Sequence, residues 1–535
     1  MTGLPRRYRT SLLALAVGLT WGAGVGDAQG QPSGATPVPN VAGPIPVTAT
    51  SYPFLAAARL TEPMDLASVG YIEQEYFVSG SANVYDWAAD DSLSVKIPNA
   101  PYSTRILVRR PVDASRFSGN VIVELGHAPR GIDFPLMWGW SQQYILEHGD
   151  AYVLVTMSPE ATKALQQFNP TRYASLSWDN PNPNEACAPG GNGTNANTPM
   201  TSDVEEGLRW DMISQVGALL KSTALSRPLA DLTVEYVYLT TQDAGHQTYI
   251  HAIQPHATLA DGRPVYDGHL TKSANRAARI RRCAATPANG DPRNLTKDAG
   301  VPVINVLQEN DVLGRLAVRR PDSDEPGDQY RLYEVPGTVH SGDAPYRWST
   351  AMMDDHVAVG GQMETRRFSA AIARYTLAAP LNEPGRCQPT EIVSGQPLLS
   401  YIFHSSFANL DRWVRQGTPP PRADRIEVSN AGTPEARLVI DEFGNGVGGV
   451  RTPYVDVPTA TYHTGHGTNP GCGGNFGYNE PFDWARLDAL YGPYENYVSK
   501  LNDALDRAVA ERWLTEADAR RIRATPVLPS GTGGN

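Results

Sequence analysis

Residues Val234 to Gly245 read V-E-Y-V-Y-L-T-T-Q-D-A-G, and how this stretch is read decides the fold. Val234, Val237 and Leu239 are strand formers, and His246 to Ile253 can continue as a helix. Between them, Thr241-Gln242-Asp243-Ala244-Gly245 has the pattern small, x, acid, x, small. A sharp strand-to-helix turn that exposes a nucleophile needs small residues on either side to relieve crowding. Here the central position holds Asp243 where a serine is usual. Asp is also a favoured helix N-cap, and a turn of this kind asks for a cap whether or not it is catalytic. Nucleophile and cap therefore both stand as readings of Asp243.

Working outward, further short apolar runs rich in Val, Ile and Tyr lie at Arg105 to Val108, Asn120 to Leu125, Ala151 to Met157, Val301 to Leu307 and Tyr330 to Val335. Helical patterns separate them. Ser202 and Glu205 form a capping box, after which Val204, Leu208, Met212, Val216 and Leu220 recur along one helical face. A late helix is expected over Tyr494 to Arg512. Strands alternating with helices imply an α/β fold with a mostly parallel central sheet covered on both faces. Residues 159–201 and 254–300 are irregular and rich in Asn, Pro and Gly, as expected of insertions above the sheet's carboxyl edge.

The chain has 535 residues, 41% of them hydrophobic and 19% charged, enough for a sizeable core. Its net charge of −11 argues against nucleic acid or an anionic membrane as partner and favours a small-molecule substrate. Arg6, Arg7 and Arg9 followed by an apolar run from Leu12 to Gly26 predict a signal peptide over residues 1–28. A flexible leader over 29–50, rich in Pro, Gly, Ala and Thr, would follow, then one folded domain over 51–535 with a C-terminal helical extension. No later segment is long and apolar enough to span a bilayer, so a secreted or periplasmic protein is expected. Its four cysteines are then expected to oxidise, pairing Cys187 with Cys283 and Cys387 with Cys472. His463, His466 and Cys472 match no standard zinc spacing, and neither metal nor cofactor is expected.

The chemistry gathers at strand ends. Val301 to Leu307 leads into Gln308-Glu309-Asn310-Asp311, and Tyr330 to Val335 leads into Pro336-Gly337-Thr338-Val339-His340. Nucleophile, acid and histidine then follow in chain order, each just past a strand. Histidine moves protons near neutral pH, and a carboxylate on its other nitrogen fixes the tautomer and stabilises the imidazolium. His340 is the candidate base, with Glu309 or Asp311 as its acid. Gly126, His127 and Ala128, just past Asn120 to Leu125, are the candidates for oxyanion or substrate contacts. Ser141 in Gly139-Trp140-Ser141-Gln142 mimics a serine turn but sits in the helical stretch Phe134 to His148. Trp138, Trp140, Trp178 and Trp210 are candidates for a pocket wall, or for core.

These features resemble a bacterial family of exported α/β-hydrolase domain proteins. The resemblance spans nearly the whole chain after the leader. It rests on V-Y-L-T before the turn, D-G-R-P-V-Y-D-G (Asp261 to Gly268), Y-R-L-Y-E-V-P-G-T-V-H (Tyr330 to His340), L-D-R-W-V-R-Q-G-T-P-P-P (Leu410 to Pro421) and D-E-F-G-N-G-V-G-G-V-R-T-P (Asp441 to Pro453). The resemblance implies an α/β-hydrolase fold and a serine hydrolase of carboxylic esters or lactones that needs no cofactor. The turn departs from the family's Gly-x-Ser-Gln-Ser/Thr-Gly. One alignment places Asp243 at the serine, and another, shifted by two, places Thr241 there. Arg451 lies in a shared block, where it would either clamp a substrate or close an internal salt bridge.

Three functions follow. The first is an acyl hydrolase with His340 as base. In the second, Asp243 attacks a saturated carbon of an epoxide or alkyl halide, and His340-activated water cleaves the resulting ester. The third is a hydrolase-fold binding protein without turnover. Ester or lactone hydrolysis is the leading expectation.

Overall fold

The computed structural model describes residues 34–59, 63–127, 131–187, 201–242, 244–274, 276–340, 398–464 and 478–524. The expected signal peptide, Ala128, Asp243, His466 and the expected Cys387–Cys472 pair lie outside the described residues. Among the described residues, nine strands form one sheet in the order β1-β2-β3-β5-β4-β6-β7-β8-β9. They are β1 (Asn40–Ala42), β2 (Tyr71–Trp87), β3 (Leu93–Pro111), β4 (Asn120–Leu125), β5 (Ala151–Val155), β6 (Tyr236–Thr241), β7 (Gly268–Lys272), β8 (Val303–Gln308) and β9 (Tyr330–Val335). From β5 to β9 all neighbours run parallel, while β1, β2 and β3 pair antiparallel at one edge.

Strand alternation explains how the sheet is covered. Val121, Val123, Val153, Val237 and Leu239 face a core completed by Met212 and Val216 of helix α3 (Arg209–Lys221). Ile122, Leu154, Tyr238, Leu270 and Ile304 face the other side, against Trp138 of α1 (Leu136–His148) and Phe403, Leu410 and Trp413 of α5 (Leu398–Gln416). Each such buried side chain contributes about 1.5–3 kcal/mol. Further helices are α2 (Pro159–Phe168), α4 (Ala244–Thr248), α6 (Tyr494–Ala510) and α7 (Glu516–Ala524), beside short ones at Pro453–Asp456 and Trp484–Tyr491, and α6 and α7 form a separate small core around Leu501, Leu505 and Ile522. Among the described residues, no helix is long and apolar enough to cross a membrane.

Where α1 starts, Pro135 supplies no side-chain cap. The buried Glu124 of β4 does so instead, accepting the amide protons of Met137 and Trp138, both at 2.8 Å, and the Tyr152 hydroxyl at 2.7 Å. Burial still pushes its carboxyl up to about 7 against these donors.

Three expectations change. The supposed flexible leader supplies β1, whose Val41 pairs with Val78, because an edge strand is held by backbone bonds and not by side-chain pattern. The segment 254–300 is no simple excursion, since it contributes the fully buried strand β7. The helix expected to begin at Ser202 begins at Arg209, after a short 3₁₀ turn at Glu206–Leu208. Glu205 caps that turn, accepting from the Gly207 amide at 2.8 Å. Of the two readings of the tryptophans, the core one holds for Trp138, Trp178 and Trp210, each at most 2% exposed. Cys187 and Cys283 are disulfide-bonded as expected, and Ser141 lies inside α1.

Helix α4 is tied to β7 by two buried histidines, His246 Nε2 and His269 Nδ1, 3.0 Å apart. Burial, with the neighbouring ring, holds His246 well below its usual value, and burial pushes His269 down to about 3. Both rings are thus folded in neutral form. Below pH 6.5 the unfolded chain takes up protons that the folded chain refuses, so stability is lost as pH falls from 6.5 towards 3. In urea titrations between about pH 7 and pH 4, His269→Gln should show a shallower loss of stability than the parent. Equal slopes would remove this pair as the cause.

Candidate active site

Strand β6 ends at Thr241 and α4 begins at Ala244, with Gln242 just past the strand. Strand β8 ends at Gln308 and passes into a 3₁₀ turn, Glu309–Asp311. His340 follows the last sheet strand, β9. The parallel register of β6 to β9 brings all three ends to one edge.

His340 Nδ1 lies 2.8 Å from Asp311 Oδ2. The carboxylate accepts the Nδ1 proton, which leaves the lone pair of a neutral ring on Nε2. That nitrogen lies 3.1 Å from Gln242 Nε2, so the Gln242 amide donates to it. Ser273 Oγ, just past β7, is within 3.0 Å of Asp311 Oδ2 and 2.6 Å of Gln308 Oε1. Burial by itself raises the Asp311 carboxyl, but the hydrogen bond and charge of His340, the charge of Lys272 and the Ser273 hydroxyl hold it below its usual range. His340 is held below its usual 6.5, first by the Lys272 charge and then by burial, with Asp311 opposing.

The two carboxylates after β8 have different tasks. Glu309 is buried, and its oxygens accept the Gly337 amide at 2.8 Å and the Thr464 hydroxyl at 2.6 Å. It clamps the loop leading to His340 onto the C-terminal segment. Gly446 permits this approach, because a Cβ there would stand 2.7 Å from Glu309 Oε2.

The other candidates are placed as follows. Thr241 is fully buried at the end of β6, and its hydroxyl donates to the Leu125 carbonyl at 2.9 Å, which turns it into the sheet. The Gly126 amide donates to Val155 at 3.0 Å and the His127 amide to Phe134 at 3.0 Å, so neither N–H points at a reacting oxygen. His127 still lies near enough for its charge to act on His340. Arg451 is held by Asp441 at 3.0 Å, Asp456 at 2.7 Å and the Gly446 carbonyl at 2.6 Å, an internal cross-link of its own segment. His463 pairs with Glu480 at 2.8 Å. Gln242, Lys272 and Ser273 were not singled out from the sequence. The only signal for Gln242 was its place beside the candidate nucleophile.

The chain matches the model of the alpha/beta hydrolase domain family over residues 41–524. It belongs to that family. No curated protein sequence matches the chain. Solved structures similar to it include esterase Est22 at 11% identity and a TM-score of 0.29, over 56% of this chain and 81% of that one. A fungal esterase from Rhizomucor miehei is 11% identical with a TM-score of 0.25, over 58% of this chain and 92% of that one. A siderophore hydrolase from Aspergillus nidulans is 12% identical with a TM-score of 0.24, over 63% of this chain and 97% of that one.

The geometry separates the two carboxylates by experiment. With an aryl ester as substrate, Asp311→Asn should lose on the order of a thousandfold or more in kcat, because the wrong tautomer is presented. Glu309→Gln should keep activity within roughly tenfold yet melt at a lower temperature, because it loosens a buried clamp. Thr241→Val should leave kcat within about threefold and cost about 1 kcal/mol in stability. Complete loss of activity in Thr241→Val would make its hydroxyl the nucleophile.

Proposed function

We propose that this protein is an exported hydrolase of carboxylic esters or lactones in which His340 is the general base and Asp311 its orienting carboxylate. The observation that carries this reading is the 2.8 Å contact between His340 Nδ1 and Asp311, with Nε2 presented to the turn after β6. Membership of the alpha/beta hydrolase domain family supports the same class of reaction. The Cys187–Cys283 bridge supports a location outside the reducing cytoplasm. In this reading, His340 Nε2 takes the proton of the attacking hydroxyl or water as the carbonyl carbon becomes tetrahedral, then returns it to the leaving alcohol. Gln242 must move off Nε2 as the substrate enters.

One observation favours a second reading. Among the described residues, no hydroxyl or thiol is hydrogen-bonded to His340 Nε2, and the Thr241 hydroxyl is spent on Leu125. Asp243, the next residue in sequence after Gln242, carries a carboxylate that is ordinarily ionised near neutral pH without help from a base. Its carboxylate would attack a saturated carbon, breaking the C–O bond of an epoxide or a carbon–halogen bond and forming an alkyl ester. Water activated by His340 would then cleave that ester.

The test is hydrolysis of a panel of short aryl esters and lactones by the mature protein, beside His340→Ala and Asp243→Asn. Turnover lost in His340→Ala and kept in Asp243→Asn is the expected result, and it makes Asp243 a helix cap. Ester turnover lost in both variants would bring Asp243 into the chemistry. No turnover of any ester or lactone would overturn the leading reading, and epoxides and alkyl halides would be the next panel.

A further inference from the structure

Lys272, the last residue of β7, is fully buried. Its ammonium lies 4.8 Å from the centre of the Trp140 ring and donates to the main-chain carbonyl of His340 at 2.9 Å. Among the described residues no carboxylate forms an ion pair with it. A buried ammonium held, among the described residues, by one carbonyl and a ring face, with the Asp311 charge near but not paired to it, is costly, and a methionine or leucine in its place would be cheaper for folding. Fold stability therefore does not account for a lysine here. Its surroundings do offer an account, because β7 lies beside β8, and Ser273, the very next residue, reaches Asp311.

We propose that Lys272 is a positioning residue for His340, which grips the His340 main chain from beneath and sets its charge against the imidazole so that the ring stands ready as a proton acceptor. The charge balance around the ring supports this. Facing His340 are Asp311, which favours the charged ring, and Lys272 and His127, which oppose it, with the uncharged Gln242 amide on Nε2. Facing Lys272 are Asp311, whose charge favours the ammonium, and Arg315, whose charge opposes it. An Asp partner by itself would push a histidine upward. In this site the Lys272 charge is the largest influence and the balance falls the other way. Burial pushes Lys272 itself down to about 7, so its grip on the ring strengthens as pH falls through that value, where a base is in most danger of protonation.

The proposal rests on His340 being the base of the proposed hydrolase, but its test reads the ring directly and needs no substrate. Histidine carrying a carbon-13 label at Cε1 is incorporated, and the His340 signal is assigned by its absence in His340→Ala. Titration of the parent should give a midpoint below 6.5. In Lys272→Met the midpoint should rise by about one unit. Lys272→Gln keeps a donor for the His340 carbonyl while removing the charge, and should give the same rise. A parent midpoint at or above 6.5 overturns the proposal, even if neither variant folds. A folded Lys272→Gln that titrates within about 0.2 unit of the parent also overturns it, because loop anchoring without charge would then suffice. If ester and lactone hydrolysis fails while the midpoint behaves as expected, the proposed reaction falls and the effect of Lys272 on the His340 ring stands.

Discussion

The carboxyl ends of the parallel strands carry polar side chains into a place where water cannot reach them, and satisfying those groups organises this protein. Thr240 and Thr241 spend their hydroxyls on carbonyls of the neighbouring strands at 2.8 and 2.9 Å. Thr271 bonds Asn305 at 2.9 Å, Ser273 lies against Gln308 and Asp311, and Lys272 takes the His340 carbonyl. An unpaired buried polar group costs about 1–3 kcal/mol, so each strand end is held in register by the partner it must find. The edge that results is crosslinked from β4 to the loop after β9. His340 and Asp311 sit on that edge as two further members of the same network.

This constraint also sorts residues that look alike in one dimension. Glu309 and Asp311 are two positions apart on one turn, yet one faces the Gly337 amide and Thr464 while the other faces the imidazole. Burial pushes the Glu309 carboxyl up, whereas partners of opposite charge hold Asp311 down. Of the two, Asp311 is the one that meets the imidazole. Glu309 does a different service, fixing the path of the loop that delivers His340.

Much of the fold was legible because its strands are apolar runs of the right length. Asn120–Leu125, Ala151–Val155 and Tyr330–Val335 lie where their Val, Ile and Tyr content put them. Strand β7 was not legible, since G-H-L-T-K contains a single large apolar residue. Its polar side chains are buried because they serve the network at the strand ends, and that service leaves no hydrophobic signature. The capping box at Ser202 misled for a related reason. Glu205 has the cap chemistry expected of it, but it spends that chemistry on the Gly207 amide and on the Arg282 amide at 2.8 Å.

At the site, the strand ends that carry His340 and the two carboxylates were readable from order along the chain, because a parallel sheet brings successive strand ends to one edge. The choice between Glu309 and Asp311, and the places of Gln242 and Lys272, were not. The sequence by itself determined the alternation of strands and helices, the family, and the region of each candidate residue, since these follow from local periodicity and from motifs a few residues long. Only the tertiary structure decided which carboxylate meets the imidazole, which hydroxyl turns into the sheet, and which buried cation takes the His340 carbonyl. Those outcomes depend on contacts between residues tens of positions apart, and on the cost of leaving any of them unpaired away from water.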